Sequence, residues 1–172
     1  MEASQGDYYI QHPNREKAEA KATKAAVVLL LLVSAALILI VVIGGWEALA
    51  GAKAPTLAWV IIYLVMAYFV ARWSRGVLPV AAALAMLFGI VTAIAAPGWF
   101  ARDKSGFDDP SLDPALIGLI AIIIVPVQLL LIAFAMRGFS QEWNVEVEVH
   151  RDEQYGAPPP DQYGGQQRYA AG

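Results

Sequence analysis

Four stretches of this chain carry no charged residue at all: Ala25–Ile43, Leu57–Ala71, Val77–Ala96 and Ala115–Met136. Wound as α-helix, three of them are about as long as a bilayer's hydrocarbon core is thick. A soluble domain of 172 residues can bury one core, but it does not hold several runs of this kind. The rest of the composition follows the same division. The chain is 58% hydrophobic and 16% charged, and the charges sit between the apolar blocks. The predicted fold class is therefore all-α: a polytopic membrane protein, a bundle of four transmembrane helices with polar ends.

Residues 1–24 form the first polar segment. Met1–Pro13 reads as mobile. From Asn14, a candidate N-cap, Arg15–Lys24 (REKAEAKATK) is rich in good helix formers, and Arg15 and Glu19 are spaced to pair at i, i+4. Ala25–Ile43 is the first span, ended by Gly44, Gly45 and Trp46. Its apolar run is longer than the core of a secretory signal, so it reads as retained in spite of the small-residue triplet Ala48-Leu49-Ala50. Leu57–Ala71 is the second span, with Trp59 and Trp73 near its ends as in an aromatic belt and Arg72 able to reach the interface. The short ARWSRG connection makes spans two and three an antiparallel hairpin.

Val77–Ala96 is the third span. Pro79 falls in its first turn, and Pro97-Gly98 is expected to stop it. Ala81, Ala85, Gly89 and Ala93 recur at every fourth position, a stripe of small residues that lets another helix backbone come close. This stripe predicts a helix contact, within the chain or with a membrane-protein partner or second copy, and puts the third helix at the centre of the bundle. After the long Trp99–Asp113 loop, Asp113-Pro114 reads as an N-cap followed by proline at the first helical position. Ala115–Met136 is the fourth span, with a kink expected at Pro126.

Residues 137–172 form the last segment. Trp143–Val149 alternates apolar and polar, a strand period with no evident partner strand. Gln154–Gly172 is rich in Pro, Gly, Gln and Tyr and reads as a disordered tail. Its Pro158-Pro159-Pro160 run and its tyrosines at 155, 163 and 169 are handles for a cytosolic partner.

Orientation follows from lysine and arginine near the span ends. Arg15, Lys17, Lys21, Lys24, Arg72, Arg75 and Arg137 fall on one side; Lys53, Arg102 and Lys104 fall on the other. The expectation is a multi-pass protein of the cell membrane, both termini cytoplasmic, with an acidic outer loop carrying Asp103, Asp108, Asp109 and Asp113.

The candidate chemistry is sparse. No span contains Asp, Glu, Lys, Arg or His, which argues against a proton-coupled transporter. The intramembrane polar residues are Ser34, Tyr63, Tyr68, Thr92 and Gln128. Gln128, two residues after Pro126, either bonds across to a neighbouring helix, with Thr92 or Tyr63 as partners, or lines a polar site at a broken helix. There is no cysteine, and His12 and His150 lie outside the spans, so thiol chemistry, cysteine-held metals and a haem within the helices are not expected. The loop aspartates lack EF-hand spacing. No catalytic triad, phosphate-binding loop or nucleic-acid-binding pattern is present. No catalytic, cofactor or metal site is expected.

In helix count the chain resembles the small four-span multidrug transporters. Those depend on a carboxylate in the first helix, and Ala25–Ile43 has none, so the resemblance implies topology alone. The expected role is that of a non-enzymatic structural, accessory or scaffold subunit. The alternative is a small transporter or channel acting as an oligomer through the Pro126–Gln128 region.

Overall fold

The computed structural model describes residues 8–102 and 110–150. Four long helices dominate it: α2 (Ala18–Gly44), α3 (Lys53–Ala71), α4 (Val77–Phe100) and α5 (Pro114–Ser140), preceded by the short helix α1 (Pro13–Glu16). A single 3₁₀ turn, Ala50–Ala52, leads into α3. Each long helix is long and apolar enough to cross a membrane.

Their surfaces are sorted as lipid would sort them. Large aliphatic side chains such as Leu29, Ile43, Ile61, Ile94 and Leu129 point outward, while Ala81, Ala85, Ala121, Ala135 and Ser34 are buried. Small residues inside let helices approach where hydrophobic burial cannot drive them together. In water the same outward surface would be one continuous apolar patch.

Each long helix runs past at least one edge read from hydropathy, and in α2 and α5 polar residues continue the helical hydrogen bonding. α2 takes in the Ala-rich stretch from Ala18, and α5 runs on through Arg137 to Ser140. The Asp113 side chain caps α5 as expected, accepting from the backbone N–H groups of Ala115 (2.7 Å) and Leu116 (3.4 Å), with Pro114 next. α5 is helical on both sides of Pro126.

α4 corrects the expected stop at Pro97-Gly98, since the helix passes through both to Phe100. Proline removes one backbone hydrogen bond there, but the last turn is held from outside. Trp99 is buried beside Ala96, Ile117 and Ala121, and the Phe100 ring lies over Gly118, where a Cβ would stand 2.7 Å from it.

The turn from α3 to α4 is a Schellman motif. Ser74 N–H donates to Phe69 O (3.0 Å) and Trp73 N–H to Val70 O (2.9 Å). This puts Trp73 at φ 64°, a conformation usually left to glycine. The indole holds the position: it packs edge-on to Trp143 at 5.2 Å, with Lys24 Nζ 4.1 Å from a Trp73 ring centroid. Trp73 is thus half-buried in packing, where the sequence suggests a belt residue.

The most extensive helix contacts are α4 with α5, α2 with α3, and α2 with α5. α2 and α5 therefore form the central pair, which corrects the expectation that the third span is central. α3 and α4, although joined by the shortest connection, have backbones that stand apart. Trp59, Tyr63 and Phe88 bridge that gap with ring centroids 5.2–6.2 Å apart.

Residues at either end of the chain form a separate small unit. In it β1 (Tyr8–Gln11) pairs antiparallel with β2 (Val147–His150), Tyr9 opposite Val149 and Gln11 opposite Val147. The strand period at Trp143–Val149 thus has a partner, supplied by a segment that reads as mobile. Its other end departs from the pattern: Trp143 is fully buried in the helical unit, not part of β2. The tail at 154–172 and most of the acidic loop, 103–109, lie outside the described residues.

Candidate functional site

Three of the five polar residues singled out from the apolar runs meet near the middle of their helices. Gln128 on α5 is 1% exposed. The Tyr63 hydroxyl on α3 donates to Gln128 Oε1 at 2.8 Å, and Gln128 Nε2 donates to Ser34 Oγ on α2 at 3.0 Å. Tyr63 and Ser34 are fully buried. One amide therefore joins three helices. An unpaired amide in hydrocarbon is costly, so each partner both satisfies Gln128 and fixes the rotation of its own helix. Tyr68 lies elsewhere: it is exposed, and Arg72 Nη1 approaches its hydroxyl at 3.5 Å.

Thr92 does not join this cluster. It is buried on α4 and lines a cavity toward the Gly44 end of the helices. The small-residue stripe is also split. Ala81 and Ala85 are fully buried; Gly89 is half-buried, and a Cβ there would stand 3.3 Å from Gln128 Cβ; Ala93 is exposed. A four-residue repeat drifts by about 40° per step, so the stripe turns away from the contact. The buried line continues instead through Phe88, Thr92, Ala96 and Trp99, following the true helical period. Within the chain the stripe therefore makes its contact through Ala81, Ala85 and Gly89, and Ala93 stays on the outer surface.

A second glutamine makes a similar bridge at the other end of the helices. Trp143 Nε1 donates to Gln141 Oε1 at 3.1 Å, and Gln141 Nε2 donates to Thr23 Oγ1 at 3.0 Å. Arg15 Nε donates to Trp143 O, and Arg75 donates to Phe139 O and Asn144 Oδ1, all at 2.8 Å. Asn14, expected to cap a helix, donates to Glu142 O instead. Glu19 stands 4.0 Å from Arg137, not beside Arg15. Sequence reasoning missed this cluster because its members are far apart in the chain. The one available signal was a tryptophan just beyond the last span, read there as part of a strand.

Among the described residues, no three His, Cys, Asp or Glu side chains stand together as a metal site. Comparison with known proteins finds no matching family model, curated protein or solved structure. The reading of this chain therefore rests on its own chemistry. What Ser34, Tyr63 and Gln128 offer is a neutral chain of donors and acceptors, suited to joining helices.

Proposed function

We propose that this protein is a multi-pass protein of the cell membrane, with both termini cytoplasmic, that acts as a non-enzymatic structural, accessory or scaffold subunit. The observation that carries the reading is the Gln128 node: the amide most able to bind a polar solute is engaged by Tyr63 and Ser34 on two other helices. Bonds that tie helices together favour a fixed assembly over a polar pathway. The orientation is supported by charge. The start of α2, the α3–α4 turn and the end of α5 lie at one end of the helical unit, linked by the Arg15, Thr23 and Arg75 bonds. Arg15, Lys17, Lys21, Lys24, Arg72, Arg75 and Arg137 gather there, against Lys53 and Arg102 among the described residues of the other end. Positive charge is retained on the cytoplasmic face.

Purification in mild detergent through an affinity tag tests the role. A stable complex with a larger membrane protein is the expected result. A homo-oligomer that conducts ions or solutes in liposomes, and loses that activity on Gln128→Leu, would replace this reading with the transporter alternative.

A further inference from the structure

A cavity of about 160 Å³ lies among α2, α3, α4 and α5 toward their Gly44 end. Its wall is apolar and aromatic, with Ile38, Phe88, Trp99 and Ile124 contributing; the two polar side chains lining it are Thr56 and Thr92. Thr56 Oγ1 donates to Ala52 O at 2.7 Å. Thr92 is 7% exposed, and its hydroxyl has no hydrogen-bond partner among the described residues. A helical threonine commonly bonds the carbonyl one turn back, and a buried hydroxyl is costly to leave unpaired. The rim includes Val91, Ala95 and Ala52, all exposed, beside the seam where α3 and α4 stand apart. In a membrane this rim faces hydrocarbon. An apolar cavity of this size takes up a guest such as a benzene ring, and here the exposed rim lets a longer chain extend outward, whereas a buried water needs two to four polar partners.

We propose that this cavity is a binding site for a membrane-soluble lipophile carrying one hydrogen-bonding oxygen, a hydroxyl or a carbonyl. The oxygen pairs with Thr92, and the apolar body lies against Phe88 and Trp99. The ligand enters from the bilayer between α3 and α4. This inference uses the membrane setting of the helices and is independent of the accessory role.

The test is photolabelling of the full chain in lipid nanodiscs with a diazirine-bearing octanol and its matched diazirine-bearing octane, mapped by mass spectrometry. The alcohol is expected to label the residues lining the cavity about threefold to tenfold more than the alkane, the worth of one net hydrogen bond. Excess octanol is expected to compete. Thr92→Val, which keeps the side chain's shape, is expected to bring alcohol labelling down to the alkane level. Ala121→Leu, which fills the cavity, is expected to abolish labelling by both; if it fails to assemble, the Thr92→Val comparison decides. Equal labelling by alcohol and alkane, labelling spread over outward residues such as Leu29 and Ile61, or no effect of Thr92→Val would overturn the proposal.

Discussion

Gly89 shows at the scale of one residue what the sequence makes legible and what it hides. The small-residue stripe marks where α4 approaches a neighbour, and the structure places Gly89 against the Gln128 side chain. A Cβ at 3.3 Å is already tight, so Gly89→Leu would push α4 off α5 and disturb the amide. Overpacking of this kind costs about 1–3 kcal/mol. The expected outcome is a lower midpoint in SDS-induced unfolding, whereas Ala93→Leu, on an exposed position, should leave the midpoint unchanged. Hydropathy could not separate these two alanine-or-glycine positions, because a four-residue repeat says nothing of where the drifting stripe leaves the contact. Gln128 was legible for the opposite reason: a lone amide among aliphatic residues must find partners. Which partners depends on helix rotation, so Tyr63 was foreseen as one of two candidates, while Thr92 proves to face a cavity and Ser34 takes its place.

Helix ends carry the next level. Where the signal is local the sequence reads well: Asp113-Pro114 caps and starts α5, and Asp113→Ala is expected to cost about 1 kcal/mol in the same unfolding assay. Where the end is held by distant contacts it does not. Pro97-Gly98 fails to stop α4 because Trp99 and Phe100 are anchored against residues far along the chain. Trp73 adopts a glycine-like conformation because Trp143 and Lys24 pack on its ring. Trp143 is the keystone of that end, fully buried, bonded through its indole to Gln141 and set against Gly138. Trp143→Ala is expected to destabilise by about 3–5 kcal/mol, while Trp143→Phe should recover part of the loss, since it restores ring packing but not the indole hydrogen bond. A circular dichroism thermal scan of the three proteins in detergent checks the order.

For the whole molecule, the apolar runs mark the four helices long and apolar enough to cross a membrane, but pairing lies beyond them. Connection length suggests that α3 and α4 pack together, yet the aromatic side chains of Trp59, Tyr63 and Phe88 hold their backbones apart, and α2 and α5 become the central pair. The proposed orientation has a direct check, because the chain has no cysteine. In intact cells an impermeant maleimide should label Glu47→Cys and spare Gly76→Cys, both exposed positions at opposite ends of the helices; the reverse pattern would invert the topology. The central claim is that the polar residues within the spans hold the helices together. A double-mutant cycle tests it most directly: Gln128→Leu against Tyr63→Phe, and Gln128→Leu against Ser34→Ala, read as unfolding free energy in SDS. The account predicts a coupling of about 1 kcal/mol in each cycle. Additivity within about 0.3 kcal/mol in both cycles would contradict it.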